Sequence, residues 1–101
     1  MILQQGSTYR LEIELTDGTS PIDPDSIAKV EFVFGDKTKL YPSEVTLEGG
    51  KFIVPFTQAE TLAMQDMIRY QARILFTDNQ VKGTDILYGN VKASLSEEVL
   101  T

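Results

Sequence analysis

The 101-residue sequence contains no histidine, no cysteine and no tryptophan. Without imidazole there is no side chain that ordinarily titrates near neutral pH, no Ser-His-Asp triad and no histidine metal ligand. Without thiols there is no thiolate nucleophile, no disulfide and no cysteine-bound zinc. Positive charge is scarce too: nine Lys and Arg stand against fifteen Asp and Glu, for a formal charge of -6 and an isoelectric point near 4.5. Such a field repels phosphate backbones and anionic lipid surfaces, so neither nucleic acid nor membrane is expected as a partner. Met1 to Arg10 turns polar at Gln4, with no basic stretch ahead of a long apolar run, and the expectation is a soluble chain of the cytoplasm. No set of residues calls for a cofactor or a metal, and the chain is not expected to be an enzyme.

What is present is alternation. At 42% hydrophobic, the chain has enough apolar side chain for one core, and residues 1–101 are read as one domain. Tyr9, Leu11, Ile13 and Leu15 fall on one parity and Arg10, Glu12, Glu14 and Thr16 on the other, the period of a strand with one dry face. Asp17-Gly18 and Pro21 to Pro24 are turn chemistry, and Asp25-Ser26 can open one helical turn. Val30, Phe32 and Phe34 then alternate with Lys29, Glu31 and Val33, and Lys37 to Tyr41 reads as a short edge strand stopped by Pro42. Val45 and Leu47, the Gly49-Gly50 pair and Phe52, Val54 and Phe56 predict a hairpin, with Pro55 placing its strand end at an edge or a bulge.

Thr57-Gln58-Ala59-Glu60 is a capping box and predicts one short helix to about Gln65. Ile68, Tyr70, Ala72, Ile74 and Phe76 alternate with Met67, Arg69, Gln71, Arg73 and Leu75, the longest strand signal in the chain. Gln80 to Lys82 and Asp85 to Leu95 complete the set, with Gly83 and Gly89 as breaks or bulges, and residues 96–101 form an acidic tail expected to fray. About six to eight short strands with one helix near residues 57–65 favour an all-β antiparallel sandwich or small barrel, because parallel winding would need crossover helices.

Several constellations invite a functional reading. Asp23 and Asp25, with Asp17 nearby, offer oxygen to calcium, but no further ligands follow at the spacing a calcium loop uses, and capping is the stronger reading. Glu12 and Glu14 lie roughly 7 Å apart on one strand face, a glycosidase-like separation that outward strand positions also produce by default. Arg69 and Arg73 share the outer face of the long strand, where they either pair across strands with Glu12, Glu14 or Glu31, or form a cationic strip for a carboxylate-rich partner. Most aromatics sit on apolar parities and belong to the core. Tyr41 and Tyr88, at strand ends, are the candidates for surface aromatics, and with the sandwich they motivate the alternative of a small carbohydrate- or ligand-binding module.

Gln5-Gly6-Ser7-Thr8-Tyr9, Thr16-Asp17-Gly18 and Pro21-Ile22-Asp23 resemble the opening of small prophage-encoded proteins of Gram-positive bacteria, and of the N-terminal domain of phage baseplate upper proteins. Val30-Glu31-Phe32, Thr57 to Thr61, Tyr70 to Arg73 and Ser94 to Leu100 keep the order seen in those small proteins, so the resemblance spans nearly the whole chain. It implies an immunoglobulin-like β-sandwich serving as a tail or baseplate type component, structural or assembly, with no enzymatic activity. Expected partners are other phage structural proteins or further copies of the chain, met in the host cytoplasm during assembly or in the virion. The long helical and receptor-facing remainder of the baseplate protein has no counterpart here, and no functional residue is transferred. Arg69, Arg73, Tyr41 and Tyr88 remain the candidate partner-facing residues.

Overall fold

A computed structural model describes residues 1–17, 20–96 and 98–101, and the side chain of Asp17 lies outside that description. The Gly18 half of the Asp17-Gly18 turn signal, and Glu97 in the tail, therefore lie outside the described residues. The chain is mainly β with one short helix. In order it forms β1 (Ile2–Gln4), β2 (Tyr9–Ile13), β3 (Thr16–Asp17), β4 (Ser20–Pro21), a 3-10 turn (Pro24–Ser26), β5 (Ile27–Phe34), β6 (Lys37–Tyr41), β7 (Thr46–Glu48), β8 (Lys51–Phe56), α1 (Gln58–Leu62), β9 (Met67–Phe76), β10 (Val81–Gly83) and β11 (Leu87–Lys92).

Six strands make a curled sheet in the order β1-β11-β9-β5-β6, with β10 also on β9; three make a smaller sheet, β2-β8-β7; β3 and β4 form a two-residue ribbon. Strands thus exceed the six to eight expected, because β1, β3 and β4 are too short to carry a readable period. The sheet is also mixed rather than wholly antiparallel. Ile2, Leu3 and Gln4 run parallel to Asn90, Val91 and Lys92, a pairing that joins the two ends of the chain. Leu3 is the reward, since it is 1% exposed against Val91 at 5%.

The two sheets face each other across aromatic side chains. The Phe32 and Phe52 ring centroids are 5.5 Å apart, and Phe34 meets Phe56 edge-on at 4.9 Å, which sets β5 over β8. The predicted parities hold: Val30, Phe32 and Phe34, then Phe52, Val54 and Phe56, then Ile68, Ala72 and Ile74 are buried, and Tyr9, Leu11 and Ile13 point the same way. β9, the longest strand, lies inside the large sheet, flanked by β5 on one edge and by β10 and β11 on the other.

The predicted hairpin forms with Glu48 opposite Lys51 and positive φ at both Gly49 (57°) and Gly50 (78°), the backbone that a two-residue I′ turn requires. Pro55 sits on the central strand of the smaller sheet, yet β7 pairs no further than Ile53, so β8 is single-flanked where the N–H is missing. The irregularity in β5 falls between Ile27 and Lys29.

The helix is shorter than the expected 57–65 and ends at Leu62. Ala63 caps it, and Met64 turns into the core at 5% exposure, which an extended last turn would prevent. Both halves of the capping box are made: Glu60 N–H donates to Thr57 Oγ1 at 3.2 Å, and Thr57 N–H donates to Glu60 Oε1 at 2.9 Å.

One further expectation is corrected. Gly89 is neither break nor bulge, since it stands in register opposite Ile68; a Cβ there would lie 2.7 Å from Met1 Cε and 3.4 Å from the Met1 carbonyl oxygen. Glycine lets the N-terminus lie against β11. Gly89→Ala should cost about 1 kcal/mol, because the flexible Met1 tip swings aside, and should speed amide exchange at Asn90, whose N–H donates to Met1 O at 2.9 Å. In the tail, Gln58 Nε2 donates to Leu100 O at 2.7 Å, and Leu100 N–H donates back to Gln58 Oε1 at 2.8 Å. One amide side chain satisfies both backbone groups of that residue, as a neighbouring strand would.

Candidate interaction surface

The outer face of the large sheet gathers three of the four candidate residues. Arg69 and Arg73 project from β9, and Tyr88 on β11 stands directly opposite Arg69. The alternation of β9 places them there, since every inward neighbour is apolar. Arg73 faces Glu31 across the β9–β5 ladder and donates from Nε to Glu31 Oε1 at 2.9 Å, so the cross-strand pairing is realised at this position. The Glu31 carboxylate holds the Arg73 guanidinium pKa above its ordinary value, first through the hydrogen bond and then through its charge. Arg69 makes no ion pair among the described residues.

Tyr41 is the exception. It lies opposite Val30 on the inward parity of β6 and meets Phe52 edge-on at 5.0 Å, so its ring packs on the core. Its place at a strand end suggested surface, but parity decides the side of the sheet. The two tyrosines thus lie on opposite faces and form no joint platform. Tyr88 is 62% exposed.

Sequence reasoning missed the apolar part of this face. Met67 (59% exposed) and Val81 (58%) share it, and Ile86 joins Val33, Arg69 and Gln71 around a shallow depression of about 270 Å³. A second depression of about 200 Å³ is lined by Lys29, Glu31, Leu40, Arg73, Leu75 and Val81. The available signal was an apolar residue on a wet parity: Val33, Met67 and Leu75 each occupy a position where the alternation calls for a polar one.

The carboxylate constellations separate. Asp23 accepts from Asp25 N–H at 3.0 Å and caps the 3-10 turn. Glu12 on β2 and Glu14 just beyond it are exposed, with Lys51 Nζ 3.6 Å from Glu12, and they stand at the rim of an apolar crevice between the sheets. Neither that crevice nor the depressions on the outer face bring further carboxylates to them. No group of three or more acidic residues that could hold a metal forms among the described residues. None of the described helices is long and apolar enough to cross a membrane.

One ion pair is shielded. Lys39, on the edge strand β6, turns inward at 8% exposure, donates to Glu60 Oε2 at 2.5 Å and lies 5.4 Å from the centre of the Phe56 ring. An inward-pointing charge on an edge strand discourages pairing with a foreign strand. Burial pushes the Glu60 carboxyl up, but the Lys39 hydrogen bond, the Thr57 amide, the Lys39 charge and the Thr57 hydroxyl together outweigh it and hold Glu60 below its ordinary 4.5. The pair braces α1 against the sheet.

Compared with known proteins, the sequence matches no family model and no curated protein, and the fold matches no solved structure.

Proposed function

We propose that the chain is a non-enzymatic structural or assembly protein of a phage particle, of tail or baseplate type, working through protein–protein contacts. The observation that carries this reading is the outer face of β9 and β11, where exposed Met67, Ile86 and Tyr88 neighbour Arg69, which makes no ion pair among the described residues, and exposed Val81 stands farther along the face, opposite Leu75. Exposed tyrosine and arginine beside apolar side chains are the composition of interface centres, and a cation on a protein of net charge -6 suits a carboxylate-bearing partner. The partners are other phage structural proteins or further copies of the chain, met in the host cytoplasm during assembly or within the virion. On this reading the facing sheets are an immunoglobulin-like sandwich with a parallel strand added at one edge; the β5–β8 aromatic contacts support the facing layers, and the β1–β11 pairing is the departure.

The test is association. Light scattering over a wide concentration range, with pull-downs against purified proteins of the same phage cluster, should give a defined oligomer or partner. Arg69→Glu combined with Tyr88→Ala should weaken that contact about tenfold with little change in melting temperature, as both side chains are exposed. A strict monomer that captures none of those proteins would sink the proposal.

A further inference from the structure

We infer that the smaller sheet accepts one more strand from a partner protein: an extended segment of alternating apolar and basic residues that pairs with the free edge of β2 and seats its apolar side chains in the crevice over β9. That the partner is a protein rests on the assembly reading above, but this surface is separate from the outer face.

The crevice measures about 380 Å³ and opens between Leu11, Ile13 and Leu15 on one wall and Tyr70, Ala72 and Leu87 on the other. It lies where the next strand after β8 and β2 would stand. Burial reports the same vacancy. On β8 the inward Phe52, Val54 and Phe56 are at most 3% exposed, whereas Tyr9, Leu11 and Ile13 on β2 are only half-buried and Leu87 across the gap is 51% exposed. The same inward parity is thus sealed on one strand and open on its neighbour.

The backbone is open as well. β2 is hydrogen-bonded to β8 along one edge, and no other backbone hydrogen bond reaches residues 9–13 among the described residues. An antiparallel strand aims alternate N–H and C=O groups away from its partner, so β2 presents a row of them over about 16 Å. Strand addition uses such an edge: main-chain bonds supply affinity and alternate side chains supply selection.

Charge selects the occupant. On the outward parity Arg10 is paired with Glu48 and Glu12 lies 3.6 Å from Lys51, while Glu14, just past β2 at the rim of the crevice, makes no ion pair among the described residues and leaves the open charge there acidic. Opposite charges facing each other across strands stabilise the pairing and like charges oppose it, so lysine or arginine belongs at the outward positions of the added strand. The chain's own exposed tail carries Glu98 and is anchored at Leu100 by Gln58, so it is the wrong sign and already engaged. A second copy brings the same edge, with Glu12 and Glu14 on it.

The probe is a labelled, end-capped eight-residue peptide alternating lysine with isoleucine and valine, titrated by fluorescence anisotropy while amide exchange is followed. Saturable binding is expected, with exchange slowed in residues 9–13. Leu87→Lys and Glu14→Lys should each weaken it at least tenfold, as should glutamate in place of the peptide lysines or N-methylation of its backbone. Leu87 and Glu14 are exposed, and melting curves confirm that both variants fold. Binding that is absent, indifferent to N-methylation or unchanged by these variants would overturn the inference. So would binding lost in the Arg69→Glu, Tyr88→Ala variant, which must keep full affinity here, or a homodimer that Leu87→Lys dissolves. If the peptide fails while the outer-face variant still loses its phage partner, strand addition falls and the assembly reading stands.

Discussion

Phe34→Ala is expected to lower the stability of this protein by about 3–5 kcal/mol and its melting temperature by roughly 15 °C or more. Phe34 is 2% exposed, meets Phe56 of the smaller sheet edge-on at 4.9 Å and stacks on Tyr70 at 6.0 Å. Truncation removes a large apolar surface and leaves a void that the two sheets cannot close without shifting against each other. No disulfide is present to hold them, and a domain of this size has only about 5–15 kcal/mol to lose. Phe76→Ala, at a half-buried ring near the end of β9, should cost less than half as much. Urea and thermal unfolding followed by circular dichroism measure both. Equal losses in the two variants would mean that the sheets do not share the core described.

Glu60→Ala should cost about 3 kcal/mol, more than a helix cap alone. Loss of the capping box accounts for about 1 kcal/mol, and the rest comes from leaving the Lys39 ammonium without its partner in a site nearly closed to water. Lys39→Met should cost clearly less, because it removes the charge together with the need for a partner and keeps an unbranched stem against Phe56. The acid limb follows from the same contact. Glu60 titrates below its ordinary 4.5 when folded, so its contribution is complete above that value and is lost as pH falls through the lower, folded pKa. Denaturation midpoints between pH 6 and pH 3 should therefore decline in the parent protein, and part of that decline should vanish in Glu60→Gln. An unchanged acid limb in Glu60→Gln would remove Lys39 and Glu60 from the account of stability.

Particular residues show how far the chain could be read in advance. The parities of β2, β5, β8 and β9 and the capping box at Thr57 and Glu60 were legible because each depends on residues two to four apart. Arg73 was legible in part, since Glu31 was one of three acids proposed to face it. Lys37 to Tyr41 was legible as an edge strand, but not that Lys39 turns inward; its ion partner lies 21 positions away and offers no local sign. Tyr41 misled for a related reason, as a strand-end position says nothing about which side of the sheet a ring occupies. Gln4 and Gln5 looked like the end of an apolar start, yet Gln4 Nε2 donates to Ala93 O at 2.9 Å and Gln5 Nε2 to Met64 O at 2.7 Å. These bonds fasten the N-terminus to the last strand and to the end of the helix.

By itself, then, the amino-acid order determined which apolar side chains of β2, β5, β8 and β9 turn inward, where the chain turns and where its one helix starts, since each follows from local sterics and a two-residue period. Only the tertiary structure decided that β1 runs parallel to β11, that Lys39 finds Glu60, that Met67, Val81 and Tyr88 share one exposed face, and that the smaller sheet stops at β2. Those outcomes depend on contacts between segments distant in sequence. Such contacts form because burying Leu3, Phe32, Phe34 and Val54 together outweighs the entropy of closing the loops between them, a balance that no short stretch of sequence contains.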